Sequence, residues 1–122
     1  MSTRATIGIM QPDKRVVCIY CYHDGYPNHL GRILANHYDT PKKIERLMRG
    51  GHLSGIEERL ELCSYDHKGG EPLPAKCRPV ALRNLGAFIK RVREYGHDYG
   101  YVFQDGRWHI YKSPGPLIPL EL

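Results

Sequence analysis

The sequence predicts an α+β fold in which an antiparallel sheet of about four strands is covered by helices on one face. Residues 5–23 and 99–112 each have the pattern of a β-hairpin, and residues 28–62 and 82–95 repeat apolar side chains at helical spacing. The simplest arrangement pairs the N-terminal hairpin with the C-terminal one and lays the helices on their apolar side. The 122 residues fit one domain over 1–112, followed by a proline-rich tail over 113–122.

The first hairpin spans residues 5–23 and turns at the Gln-Pro-Asp-Lys segment 11–14. A three-residue loop pairs Ile7 with Ile19 and gathers the aliphatic side chains on one face. A loop of two or four residues would pair Ile7 with Cys18 instead. The pairing of Ile7 with Ile19 is therefore preferred but is not required by the sequence.

Three helices are predicted between the hairpin and residue 62. Asn28 can cap the first helix, and Thr40 with Pro41 has the signature of a second helix start. Gly50-Gly51 ends the second helix, and Ser54 can cap a short third helix that reaches residue 62.

Residues 64–79 are rich in glycine and proline and predict a long surface loop, with a short edge strand near Cys77, or alternatively a mobile flap. Residues 82–95 then form a predicted helix that Gly96 closes.

The second hairpin covers residues 99–112, with Asp105-Gly106 as a type I′ turn. A two-residue loop pairs Phe103 with Trp108 and places both on the core face. The tail 113–122 is apolar although its prolines oppose regular structure, so it is expected either to lie on the body or to be offered to a partner.

The predicted outer face of the sheet combines tyrosines with arginines and a histidine. Such a face suits stacking of single-stranded nucleic acid or nucleotides, and it equally suits a protein interface. Alternatively, the 64–79 loop or the tail covers some of these tyrosines. The candidate binding residues of this face and of the adjoining turn are Arg4, Tyr20, Tyr22, His23, Asp24, Tyr26, Arg107, His109 and Tyr111.

The Cys18-x-x-Cys21 pair resembles half of a zinc site. Residues three apart on a strand point to opposite faces, however, and no second CxxC follows. Cys63 and Cys77 are therefore expected to be free thiols like the first two. The sequence predicts no metal and no cofactor.

His23 and Asp24 could form a catalytic pair at the end of the second strand. Adjacent residues at a strand end seldom face each other, so the pair is interpreted as turn chemistry. Asp24 would then bond backbone amides, and Gly25 would supply a positive φ. No catalytic residue is predicted, and the protein is expected not to be an enzyme.

The net charge of +5 favours acidic partners, nucleic acid among them, and opposes mimicry of DNA. The chain carries no secretory signal pattern and no apolar run of the length a membrane span needs. We therefore expect a cytoplasmic protein without a membrane partner.

Residues 1–9 contain the pattern Ser-Thr-Arg-x-x-Ile-x-Ile, and residues 20–27 read Tyr-Cys-Tyr-His-Asp-Gly-Tyr-Pro. With these motifs the chain resembles a family of small phage and prophage proteins, whose second pattern reads Tyr-Cys-His-Trp-Asp-Gly-Tyr-Pro. The likeness covers most of the chain and is weakest over residues 63–80. Tyr22-His23 differs from the family pattern at the two central positions. The resemblance implies a phage or mobile-element origin, and small accessory proteins of that origin often inhibit host defence or host enzymes.

The sequence thus predicts a protein that acts by binding in the cytoplasm of a bacterial host. Its expected partner is a host protein or protein complex, in particular a defence complex such as a CRISPR effector. One alternative is a nucleic-acid or nucleotide-binding module that uses the aromatic outer face. A second alternative is a small hydrolase of a nucleotide signal.

Overall fold

The computed structural model describes residues 2–67 and 73–121. Over these residues eight strands form one mixed sheet in the order β4-β3-β2-β1-β6-β7-β8, with β5 also pairing with β2. The strands are β1 (Ala5–Met10), β2 (Val16–Cys21), β3 (Leu53–Gly55), β4 (Ser64–Tyr65), β5 (Val80–Leu82), β6 (Tyr99–Gln104), β7 (Arg107–Lys112) and β8 (Leu117–Pro119). The α-helices are α1 (Arg32–His37), α2 (Pro41–Arg49) and α3 (Leu85–Glu94).

Both predicted hairpins are present in the predicted register. Ile7 lies opposite Ile19 across β1 and β2, which confirms the three-residue loop. Phe103 lies opposite Trp108 across β6 and β7, and both rings belong to the same core. Alternating side chains and short turns therefore determine the register locally, as expected.

The prediction of an antiparallel sheet of about four strands is wrong. The two hairpins meet through a parallel pairing of β1 with β6, in which Ala5 lies opposite Tyr99. A second parallel contact joins Cys21 of β2 to Leu53 of β3. The edges are then extended by β4, β5 and β8, each only two or three residues long. Such short strands carry too few residues for a visible alternation.

The prediction that all helices cover one face is also wrong. Side chains of α1 and α2 pack against one face of the sheet, and Phe88 and Val92 of α3 pack against the other. Two strand glycines make room for α3. A Cβ atom at Gly8 would lie 2.9 Å from Phe88 Cε1, and one at Gly100 would lie 2.9 Å from Val92 Cγ2. The helix therefore packs directly on the backbone of β1 and β6.

Of the three predicted helix starts between residues 28 and 62, one is confirmed and two are wrong. Thr40 caps α2, its Oγ1 accepting from the amide of Lys43 at 3.3 Å, as predicted. Asn28 does not cap a helix, because it lies within a π-helical turn at Pro27–Gly31 that leads directly into α1. The predicted third helix is wrong. Ser54 lies in β3, which pairs with the end of β2 through Leu53 and Cys21.

The segment before α3 is more ordered than the predicted loop. It contains β4, a 3₁₀ turn at Ala75–Cys77 in place of the predicted edge strand, and β5, while residues 68–72 lie outside the described part. Helix α3 starts after Asn84, which caps the amide of Ala87 at 2.9 Å.

The tail lies on the body of the protein, which is one of its two predicted outcomes. Strand β8 pairs with β7, and the amide of Leu120 donates to the carbonyl oxygen of Trp108 at 3.0 Å. None of the helices described combines the length and apolar character that a membrane crossing requires.

Candidate functional site

The nine predicted binding residues do not form one surface. Tyr20 and Tyr111 are buried beneath α3, and His109 is half-buried in mid-strand. Arg107 opens β7 beside the Asp105-Gly106 turn, at the end of the sheet opposite to Tyr22. The remaining predicted residues lie at the other end of the sheet, where β2 ends and β1 and β6 begin: Arg4, Tyr22, His23, Asp24 and Tyr26.

A cluster of aromatic rings at that end is centred on Tyr20. The imidazole of His52 stacks on the Tyr20 ring at 4.4 Å between centroids, and His97 meets it edge-on at 5.3 Å. The Tyr20 hydroxyl accepts a hydrogen bond of 2.7 Å from Arg91 Nη1. Tyr20 is thus fixed on three sides and supports the side chains above it.

Two further tyrosines extend the cluster to the surface. Tyr22 lies 6.4 Å and Tyr95 lies 5.3 Å from the Tyr20 ring, and Tyr95 is 50% exposed. The guanidinium carbon of Arg91 is 4.9 Å from the Tyr95 ring centre, a cation–π contact. We call the surface formed by Arg4, Tyr22, Arg91 and Tyr95 the tyrosine patch.

Burial keeps the groups beneath the tyrosine patch uncharged. It raises the pKa of Tyr20 to about 12, although the bond from Arg91 opposes the shift. Burial also lowers the pKa of His52. For His97, burial first and then the positive charge of Arg4 lower the pKa to about 4. At neutral pH the cations of this region are therefore its arginines.

The turn at residues 23–26 is anchored by backbone groups and by one buried tyrosine. The Gly25 amide donates to the Thr3 carbonyl oxygen at 2.9 Å, and the Tyr101 hydroxyl donates to the Gly25 carbonyl oxygen at 2.7 Å. The prediction that Gly25 has a positive φ is wrong, because the residue of this turn with a positive φ is Asp24, at 56°. Gly25 is needed for space, because a Cβ there would lie 2.9 Å from the Ala5 Cβ.

His23 is not oriented by Asp24. Its Nδ1 lies 2.6 Å from the hydroxyl oxygen of Ser2, and both side chains are exposed. The arrangement fixes the N-terminal segment beside the turn.

A cleft of about 400 Å³ adjoins the tyrosine patch, between the start of β6 and the end of β7. We call it the Tyr99 cleft. Its lining combines cations, tyrosines and hydroxyl groups. The lining residues are Thr3, Tyr26, Arg93, Gly96, His97, Asp98, Tyr99, Lys112 and Ser113.

Positive charge exceeds negative charge in the Tyr99 cleft. Among the described residues that line it, Arg93 and Lys112 are two cations and Asp98 is the one carboxylate. Asp98 Oδ2 already accepts a hydrogen bond of 2.9 Å from the Arg4 amide. The Lys112 ammonium lies 5.7 Å from the centre of the Tyr99 ring.

The two cysteines of the CxxC pair lie on opposite faces, as predicted. Cys18 is in the core beneath α3, and Cys21 is in the core beneath α1 and α2. Burial raises the pKa of each thiol to about 12. Across residues 2–67 and 73–121, no three His, Cys, Asp or Glu side chains converge as metal ligands.

Sequence reasoning did not place His52, Arg91, Tyr95 or His97 in the candidate site. These residues converge only because α3 packs on the face that was expected to be open. The signal was present in Gly8 and Gly100, two strand glycines on one face that indicate close approach of another element.

Comparison of the chain with protein-family models, with curated proteins and with solved structures gives no match.

Proposed function

We propose that the protein is a phage or mobile-element accessory protein that acts by binding in the cytoplasm of its bacterial host. Its target is a host protein complex, in particular a defence assembly such as a CRISPR effector. The origin rests on the resemblance of residues 1–9 and 19–27 to small phage proteins, which is an association and not a mechanism.

The tyrosine patch is the observation that carries the binding proposal. Tyrosine and arginine are the residue types that most often anchor protein interfaces. Tyr95 is half exposed, yet its ring contacts Tyr20 and Arg91, so little side-chain freedom is lost when a partner covers it. The buried His52 and His97 beneath Tyr20 hold this support in place.

Nucleic acid is the second candidate partner, because the same tyrosines could stack on bases while Arg4 and Arg91 meet phosphates. Salt distinguishes the two partners. Binding driven by phosphate contacts falls steeply and log-linearly with salt, whereas an interface anchored by tyrosines weakens less. The net charge of +5 is compatible with both.

The test combines interference with capture. The protein is expressed in a bacterium whose CRISPR effector destroys a target plasmid, and tagged protein is recovered with and without nuclease. We expect plasmid survival and nuclease-resistant capture of effector subunits. The Tyr22→Ala/Tyr95→Ala double variant should lose both properties. Arg107→Ala is the matched control, since it removes an exposed arginine at the other end of the sheet.

Recovery of nuclease-sensitive nucleic acid without effector subunits would replace the inhibitor proposal with nucleic-acid binding. If the double variant kept full activity and Arg107→Ala were inactive, the binding surface would lie at the Arg107 end of the sheet and not at the tyrosine patch. Multiple-turnover loss of a nucleotide signal would instead favour the hydrolase.

A further inference from the structure

We infer that the Tyr99 cleft binds an aromatic ring that carries a phosphate group, which is the chemistry of a nucleoside monophosphate. This ligand site is separate from the tyrosine patch and goes beyond the proposed inhibition. The cleft is next to the patch but has its own tyrosines and its own cations.

Two cations reach the cleft from separate elements. Arg93 belongs to the last turn of α3, and Lys112 ends β7. Over the described residues neither side chain makes an ion pair, although Lys43 and Lys90 elsewhere on the surface do. Arginine offers a planar fork and lysine a compact charge, and both are common phosphate ligands.

The carboxylate in the cleft is partly engaged already. Asp98 Oδ2 accepts from the Arg4 amide at 2.9 Å, and the amides of Asp98 and Tyr99 both donate to the Arg4 carbonyl oxygen. Asp98 thus serves to join the start of β1 to the start of β6. The positive charges of Arg93 and Lys112 therefore exceed the negative charge of Asp98, and the cleft attracts an anion.

The tyrosines supply flat apolar surface for a ring. Both Tyr26 and Tyr99 line the cleft; Tyr26 is 41% exposed and Tyr99 is half-buried. Lys112 lies at 5.7 Å from the Tyr99 ring, so a group stacked near that ring is also close to a cation. Stacking on tyrosine beside a positive charge is how proteins commonly hold nucleotides.

His97 adds a directional polar group. Its ring is 5% exposed and lines the cleft, while Nδ1 is 2.7 Å from the Thr6 hydroxyl. With that hydroxyl donating to Nδ1, the neutral ring carries its proton on Nε2 and can donate to a ligand. Thr3 and Ser113 contribute hydroxyl-bearing side chains to the same cleft.

The cleft size fits a mononucleotide. Its volume of about 400 Å³ falls within the range of about 300–1,000 Å³ typical of small-molecule sites. A free nucleotide and the terminal nucleotide of a single strand have the same chemistry. They are separated by competition with an oligonucleotide that carries a terminal phosphate.

The experiment uses the full chain, labelled with ¹⁵N, titrated with adenosine and guanosine monophosphates, with adenosine, and with inorganic phosphate. We expect saturable amide shifts at residues 96–99 and 112–113 with the monophosphates, and much weaker binding of adenosine and of phosphate. Arg93→Gln and Lys112→Gln should each lower the affinity by about tenfold or more. Lys42→Gln, an exposed lysine on α2 outside the cleft lining, should leave the affinity unchanged. Displacement by the oligonucleotide would assign the ligand to a strand end, and lack of displacement would assign it to the free nucleotide.

The inference is overturned if the monophosphates leave residues 96–99 and 112–113 unshifted, or if Arg93→Gln and Lys112→Gln bind like the wild type while keeping its thermal stability. Equal affinity for phosphate alone would reduce the cleft to a general anion site. The Tyr22→Ala/Tyr95→Ala variant should still bind nucleotide, and Lys112→Gln should still protect the plasmid. The two proposals can therefore fail separately.

Discussion

The Thr6 hydroxyl lies 2.7 Å from Nδ1 of His97, and both side chains are buried on the α3 side of the sheet. The bond joins the first strand to the turn between α3 and β6, and it lies beneath the tyrosine patch and beside the Tyr99 cleft. It therefore connects the framework of the sheet to both candidate binding surfaces.

Replacing Thr6 by valine should lower the free energy of unfolding by about 1–3 kcal/mol, because it leaves a buried ring nitrogen without its partner. Urea denaturation measures the change. Thr6→Ser retains the hydroxyl and should lose clearly less stability than Thr6→Val. If valine costs no more than serine, the hydrogen bond to His97 contributes no more than the methyl packing that serine removes.

Stability should fall as the pH drops from about 6.5 to about 4. His97 ordinarily has a pKa of 6.5, and burial followed by the charge of Arg4 lowers it to about 4 in the fold. Between these values the unfolded chain binds more protons than the folded one, so acid favours unfolding. The contribution of the neutral His97 ring to the free energy of unfolding is complete above a pH of about 6.5 and is lost below a pH of about 4. Its upper bound is about 3 kcal/mol. The lowered pKa of His52 acts in the same direction.

Urea titrations across this pH range measure the effect. His97→Gln, which retains a hydrogen-bonding group toward Thr6, should flatten the pH dependence. His29→Gln, outside the Tyr20 cluster, should retain it. An unchanged slope in the His97 variant would show that the pH dependence arises elsewhere.

Gly8→Ala and Gly100→Ala should each destabilise the protein by about 1–3 kcal/mol through overpacking. A Cβ at Gly8 would lie 2.8 Å from Val16 Cγ1 and 2.9 Å from Phe88 Cε1, so α3 would have to move. Gly55→Ala is the matched control in β3, since no atom of the described part of the chain lies within 4 Å of its Cβ position. Thermal denaturation should show a clear loss for the first two variants only. Equal melting temperatures for all three would mean that α3 does not pack on this face.

Tyr101→Phe should loosen the turn that carries His23, Asp24 and Tyr26. The Tyr101 hydroxyl is buried and donates to the Gly25 carbonyl oxygen at 2.7 Å, so its loss should cost about 1–3 kcal/mol. Hydrogen exchange at the Gly25 amide, which bonds to Thr3, should become faster. Tyr65→Phe removes a tyrosine hydroxyl that bonds to Leu47, outside the turn, and should leave exchange at Gly25 unchanged.

The parts of the fold that local sequence determines were predictable. Alternation and a short turn placed Ile7 opposite Ile19 and Phe103 opposite Trp108, and Thr40 marked the start of α2. The parallel pairing of β1 with β6 was not predictable in this way, because it depends on residues far apart in the chain. The two hairpins were therefore predicted to pair antiparallel, whereas they pair in parallel.

The candidate site was only partly predictable for the same reason. Tyr22, His23, Asp24 and Tyr26 were predicted as binding residues, and they lie with Arg4 at one end of the sheet. Tyr95 and His97 became part of the site only through the packing of α3, which the recess at Gly8 and Gly100 permits. Tyr20 was expected at the surface, but it is buried and supports the tyrosine patch from below.

The parallel contact between β1 and β6 also has a consequence for the order of folding. Each hairpin closes a short loop, whereas the bond between Arg4 and Asp98 joins residues 94 positions apart. Long closures are slow, because their entropy is lost before the pairing contributes. We expect both hairpins to form early and the central ladder to form late. Until that step, the glycine-lined faces that receive α3 remain open and exposed to association with other unfolded chains.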